Sequence, residues 1–162
     1  MKSCQILFIC SGNTCRSPLA AALLAGMLTA PEKERTHIVS AGTGAISGAP
    51  ASDGALRAAE EAGFSLAAHR SRRLSRDLVV ESDLILAMEA SHRAAAIALD
   101  PSAAERTHLL LGFAAGLPAG EGDGVRDPMG GTDRDYRRAV AEIRAAIVAA
   151  HPRIAACGED VP

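Results

Sequence analysis

Residues 8–24, FICSGNTCRSPLAAALL, set Cys10 and Arg16 six positions apart around a short polar loop that runs into helix-forming residues. A strand emptying through such a loop into a helix amino terminus gathers backbone N–H groups into a concave nest, and a nest from Cys10 to Arg16 suits a tetrahedral oxyanion. Arg16 adds a planar fork that grips two oxygens at once, which a lysine cannot do with the same geometry. The helix dipole, the guanidinium and the N–H groups all favour thiolate over thiol at Cys10. The combination predicts an activated nucleophile facing phosphorus. Taken alone, Cys10 would read as a buried strand cysteine. Gly12, Asn13, Arg16, Ser17 and Pro18 around it decide for catalysis. Neither GxxxxGK[ST] nor GxGxxG follows the first strand, which excludes the usual nucleotide loops.

The elements that must position this loop can be read from periodicity. Apolar runs predict buried strands over residues 4–10, 37–43, 83–89 and 107–112. Three helical patterns lie between them and a fourth follows the last. The first carries Pro18 in its opening turn, with Leu19, Leu23, Met27 and Leu28 at helical spacing. The second covers residues 52–63, capped by Ser52 and stopped by Gly63, and the third covers 91–99, closed by Asp100 and Pro101. The fourth follows a Gly-rich loop over 113–131; Thr132, Asp133 and Asp135 cap it, and Tyr136, Val140, Ile143 and Ile147 share one face. Fraying is expected after about residue 151. Strands alternating with helices predict an α/β chain, a single-domain doubly wound (Rossmann-like) four-stranded parallel sheet with helices on both faces, over residues 1–162. In such sheets ligands bind beyond the carboxyl ends of the strands, where the Cys10 loop sits.

Composition narrows the partners. Hydrophobic residues are 48% of the 162 and aromatics 2%, so the core is built from Ala, Leu, Ile and Val, and platforms for stacking bases are missing. A formal net charge of −2 supplies no field for gathering nucleic acid. The first apolar run is shorter than a secretory core, and no run is long enough to span a membrane. Cys4, Cys10, Cys15 and Cys157 form neither a disulfide framework nor paired zinc ligands, which predicts a reducing cytoplasm where a free thiolate persists. No cofactor and no metal is expected, because no His, Cys or carboxylate cluster has ligand spacing.

CSGNTCRSP at residues 10–18 resembles the C-x5-R-S loop of the low molecular weight protein tyrosine phosphatase family. VSAGT at 39–43, HRSRRLS at 69–75, DLILAM at 83–88 and DPMGGTDRDY at 127–136 extend the resemblance, in order, over most of the chain. It implies that phosphorylated proteins are the substrates, that the phosphoryl group moves to Cys10, and that water releases inorganic phosphate without a metal. Ser11, Gly12, Asn13, Thr14, Cys15, Arg16 and Ser17 would then bind the phosphoryl group. Asp127 matches the general acid; Pro128 restricts it to extended backbone, and Gly130 with Gly131 lets its loop approach the pocket. Ser17 can donate to the Cys10 sulfur, cap the helix, or do both. By the same resemblance Asn13, Ser40 and His69 support the loop, although His69 alone reads as an ordinary partly buried histidine. Cys15 shares the loop with Cys10, either close enough to form an oxidised pair or a small buried filler.

One loop position separates substrates. Tyrosine-directed members usually carry a bulky aliphatic residue where this chain has Thr14, whereas related protein arginine phosphatases carry threonine and a similar DPMGGT segment. A polar rim suits a phosphoguanidinium, which has several N–H donors near phosphorus. Met129, and Ala45 or Ile46, stand where aromatic walls would sandwich a phenyl ring. Phosphoarginine is therefore the expected substrate, with phosphotyrosine the alternative. An arsenate reductase would relay electrons through further cysteines, and residues 78–100 contain none. A non-catalytic phosphoprotein-binding module would lose the chemistry, yet Cys10, Arg16 and Asp127 are all intact.

Overall fold

The computed structural model describes residues 2–157. In chain order the elements are β1 (Cys4–Cys10), α1 (Arg16–Met27), α2 (Ala30–Arg35), β2 (Thr36–Gly42), α3 (Asp53–Glu61), α4 (Arg76–Glu81), β3 (Leu84–Ala87) and α5 (Ala90–Leu99). A 3₁₀ turn (Pro101–Arg106), β4 (Thr107–Leu109), α6 (Leu110–Ala114) and α7 (Asp133–Ala155) complete the chain. The strands form one parallel sheet in the order β2-β1-β3-β4.

The strand period of two divides the core into two layers. Ile6, Phe8 and Cys10 face the side covered by α1, α3 and α7, where Leu84 and Leu86 of β3 join them. Leu7 and Ile9 face the other side, with Val39, Ala41, Ile85, Val79 of α4 and Ala96 of α5. Burial on both faces is why β1 reads as a nearly continuous apolar run. Each fully buried side chain of this kind contributes about 1.5–3 kcal/mol.

Several expectations need correction. Residues 107–112 are not one strand: β4 stops at Leu109, and Leu110 opens α6, because Leu110 and Phe113 turn onto the α7 side of the core. The short helices α2 and α4 stand where no element was expected. The third concerns the tail. Helix α7 passes through Pro152 to Ala155, held by Ala150 and Ile154 in the core; the rest of the expected fraying lies outside the described residues.

Cys4 and Cys157 are joined by a disulfide across a sequence separation of 153, where cysteine spacing showed no framework. The pair forms because α7 returns its carboxyl end to the start of β1, a proximity that only the fold creates. Closing so long a loop removes unfolded-state entropy equivalent to as much as about 5 kcal/mol. Cys157→Ala should therefore lower the melting temperature of the oxidised protein, and dithiothreitol should lower the parent to match. Equal melting temperatures for the oxidised parent and the variant would rule out a stabilising bridge.

Candidate active site

The loop between β1 and α1 takes its shape from Asn13, whose φ of 54° makes it the only non-glycine residue in the left-handed region among the described residues. Asparagine tolerates that region better than most residues. Its side chain is then locked from three sides: Nδ2 donates to Ser17 Oγ at 2.8 Å and to Ser40 Oγ at 2.9 Å, and Oδ1 accepts from the Arg72 N–H at 2.8 Å. His69 Nε2 lies 2.6 Å from the Asn13 carbonyl, and since a carbonyl only accepts, Nε2 carries the proton. Asn13, Ser40 and His69 thus meet in one network, together with Arg72, whose contribution is a backbone amide and so left no trace in residue type.

The loop's carbonyls are occupied from outside. Thr43 N–H binds the Cys10 carbonyl, Gly44 N–H the Ser11 carbonyl, Ser52 N–H the Thr14 carbonyl and Leu19 N–H the Cys15 carbonyl. With these oxygens turned outward, the loop's N–H groups are left for the concave side. Gly42, at the end of β2, makes the approach possible: a Cβ there would lie 2.5 Å from the Ser11 carbonyl oxygen and 2.8 Å from Asn13 N.

Cys10 is buried at the floor, its Sγ 3.3 Å from the Asn13 N–H and 2.9 Å from Ser17 Oγ. Ser17 Oγ already accepts from Asn13, and its one other acceptor is the Ala41 carbonyl at 3.5 Å, so its proton points to the sulfur. Arg16 is 2% exposed: NH1 donates to the Val125 carbonyl at 2.8 Å and pairs with Glu89 at 3.0 Å, while NH2 is 3.4 Å from Asp127 Oδ2. A buried guanidinium needs such partners, and they fix the fork in place.

Asp127 is half-exposed at the mouth. Its Oδ1 accepts the Met129 N–H at 3.0 Å, which turns Oδ2 toward Arg16. Gly131 is required in this turn, because a Cβ would fall 2.5 Å from Asp135 Oδ2 and 2.9 Å from the Pro128 carbonyl oxygen. Met129 itself is largely exposed. Thr14 is half-buried, and its Oγ1 would lie 3.5 Å from a Cβ at Gly12, so the hydroxyl overlies that glycine. No Phe or Tyr ring stands in these contacts: Phe8 is buried in β1, Phe113 meets the His108 ring edge-on, Phe64 packs against the α1 side of the core, and Tyr136 is buried against Gly54.

Cys10 and Cys15 are both free thiols. Burial first, and the neighbouring Cys10 and Asp127 next, push the Cys15 thiol up to about 12, with Arg16 opposing only in part. Cys15 therefore stays protonated at neutral pH. Two residues at this site were missed by sequence reading, Glu89 and His92, both just past β3. A carboxylate and a histidine directly after a buried strand were the available signal, since ligands gather at strand carboxyl ends. Burial and the Arg16 charge hold the His92 pKa below its ordinary value, so its ring is neutral at pH 7. Among the described residues, no group of three or more His, Cys, Asp or Glu side chains is placed to hold a metal, and no helix is long and apolar enough to cross a membrane.

A thiol flanked by donors, a fixed guanidinium and a carboxylate at the mouth can together bind a phosphoryl group, take it onto sulfur and move a proton. Comparison with known proteins agrees with that chemistry. The model of the family described as low molecular weight phosphotyrosine protein phosphatase matches residues 5–158. A protein-arginine-phosphatase of Geobacillus stearothermophilus is 37% identical over 143 residues, which are 88% of this chain and 90% of that protein. The solved YwlE arginine phosphatase from the same organism aligns with a TM-score of 0.81 at 34% identity, covering 98% of both chains. A YwlE mutant solved with a phosphorylated active site serine also aligns at 0.81, with 27% identity over 93% of this chain and 95% of that one.

Proposed function

Because the chain belongs to the low molecular weight phosphotyrosine protein phosphatase family, we propose that it hydrolyses phosphorylated protein side chains through a phosphocysteine on Cys10, with phosphoarginine its favoured substrate. The observation that carries the chemistry is the convergence of Ser17 and the Asn13 N–H on Cys10 Sγ in a loop that ends on a buried Arg16.

The phosphoryl oxygens sit in the N–H nest formed by Ser11 to Ser17, with two of them on the Arg16 fork. Cys10 thiolate attacks phosphorus, and the S–P bond forms as the P–N bond to the guanidine breaks. Asp127, as the carboxylic acid, gives its proton to the departing nitrogen. Water then attacks phosphorus, Asp127 carboxylate takes the water proton, and the S–P bond breaks to return Cys10 as thiolate. Inorganic phosphate leaves. The Ser17 hydroxyl stabilises the thiolate as nucleophile and as leaving group, while Asn13, Ser40 and His69 keep the nest from relaxing. A YwlE mutant carries its phosphoryl group on an active site serine, which supports a covalent route here. Cys10 has to stay a free thiol, which favours a reducing cytoplasm as the working compartment, and there the Cys4–Cys157 pair is held as two thiols and its bridge belongs to the oxidised protein.

Substrate choice rests on the rim. Thr14 presents a hydroxyl beside Gly12, and Met129 and Ile46 are exposed side chains that offer a phenol no ring to stack on. Side-by-side rates on phosphoarginine and phosphotyrosine peptides test the reading, and a higher kcat/KM for phosphotyrosine would reverse it. Thr14→Ile should shift the phosphoarginine to phosphotyrosine ratio of kcat/KM toward tyrosine by roughly ten- to a hundredfold, by crowding the guanidinium and packing against a ring. An unchanged ratio removes Thr14 from specificity.

A further inference from the structure

His92 lies in the first turn of α5, 1% exposed, and the mechanism above gives it no task. Its ring is nonetheless fully engaged. Nδ1 accepts the backbone N–H of Glu89 at 3.1 Å. An amide can only donate, so in the neutral ring the proton is on Nε2, which then donates to Ser11 Oγ at 2.9 Å. The same Nε2 is 3.8 Å from Glu89 Oε2, and the other oxygen of that carboxylate is 3.0 Å from Arg16 NH1. One buried ring therefore touches both sides of the pocket: the phosphate loop after β1 at Ser11, and the turn after β3 at Glu89. These strands are neighbours in the sheet, and the two turns leave its carboxyl edge side by side.

We propose that His92 is a positioning residue for phosphoryl transfer, which holds Glu89 so that its carboxylate fixes the Arg16 fork and holds Ser11 at the loop wall. The physical case is one of degrees of freedom. Glu89 reaches Arg16 through rotatable side-chain bonds from a turn, and its carboxylate can fix the guanidinium plane only if its own backbone is fixed. The Nδ1 bond anchors its N–H, while the His92 and Arg93 N–H groups anchor its carbonyl at 3.1 and 3.2 Å. On the other side Ser11 is an exposed hydroxyl, and the Nε2 proton occupies a lone pair on it and sets its rotamer. Neutrality matters to the Nδ1 bond, because a second ring proton there would face the Glu89 N–H.

The proposal deepens the phosphatase reading and rests on it for its rate measurement; its binding measurement needs no turnover. His92→Phe keeps a planar ring and removes both nitrogens, leaving the Glu89 N–H without its acceptor. His92→Gln keeps a terminal N–H donor that reaches Ser11. Two experiments are run on each purified variant: calorimetry for the Kd of inorganic phosphate, and steady-state kinetics for kcat and KM on a phosphoarginine peptide.

His92→Phe should weaken phosphate binding roughly tenfold and lower kcat by roughly ten- to a hundredfold, the size of effect that a misplacement near 1 Å produces. His92→Gln should recover the part of both losses that passes through Ser11, with the part that passes through the Glu89 N–H still missing. Where His92→Phe does not yield folded protein, His92→Asn takes its place: it keeps an acceptor for the Glu89 N–H but is too short for Ser11, and should lose kcat in the same direction by a smaller factor. Phosphate Kd and kcat within twofold of the parent for His92→Phe, or for His92→Asn in its place, overturn the proposal. So does a glutamine variant no better than phenylalanine, which would reduce the ring to packing. A parent that hydrolyses no phosphopeptide yet binds phosphate, with binding weakened in His92→Phe, keeps the positioning role and removes the phosphatase reading. A parent that does not bind phosphate at all removes both.

Discussion

Cys10→Ser should abolish turnover, with a loss of at least about four orders of magnitude, while inorganic phosphate still binds within a fewfold of the parent affinity. The two halves of this expectation come from different atoms. Binding belongs to the loop N–H groups and to Arg16, which is held by the Val125 carbonyl, Glu89 and Asp127 and does not depend on the sulfur. Chemistry belongs to Sγ, where a hydroxyl at the same place is far less ionised than a thiol. Such an oxygen is also a far poorer leaving group in the second step. Any phosphoryl group that did reach Ser at position 10 would stay there, so mass spectrometry of the variant after long incubation with substrate should show a single phosphoryl increment on that residue. Retained turnover would sink the nucleophile assignment. Lost phosphate binding would mean that the sulfur shapes the nest, and that the Asn13 N–H contact at 3.3 Å is structural before it is catalytic.

The parts of this architecture that were legible in sequence are those with a local cause. Strand β1 is buried on both faces and so reads as an apolar run, and the loop after it carries its nest, nucleophile and fork within one turn of chain. Helix α7 announced itself through a capping triad and a repeating face. What escaped detection depends on distance or brevity. Helices α2 and α4 have six residues each, too few for periodicity to register. The break between β4 and α6 falls inside THLLLG, where strand and helix both bury leucine, so only the direction in which Leu110 packs decides it. The Cys4–Cys157 bridge joins residues that the sheet and α7 bring together from opposite ends of the chain. Glu89 and His92 belong to the site only because β3 is the neighbour of β1, a strand order that alternation alone does not give. Asp127 required the resemblance as well, since an aspartate before proline is ordinary turn chemistry.

Asp127→Asn should lower kcat/KM on phosphoarginine peptides by roughly a hundred- to a thousandfold, and lower it much less on p-nitrophenyl phosphate, whose leaving group is already acidic. Asparagine is the informative replacement because it keeps the local structure. Its side-chain oxygen can still accept the Met129 N–H that fixes the turn. What it loses is the titratable proton and the negative charge 3.4 Å from Arg16. The lost charge should not loosen the fork, since Glu89 and the Val125 carbonyl still hold NH1. The lost proton matters in proportion to the basicity of the departing group, and a guanidine leaves poorly unless protonated. The second step loses its base for every substrate alike, so once phosphocysteine hydrolysis limits the rate, the reactive phenyl ester should show a burst of phenol followed by slow turnover. Rate losses that are equal across leaving groups, with no burst on the activated ester, would place Asp127 outside proton transfer and leave it as a partner that merely neutralises Arg16.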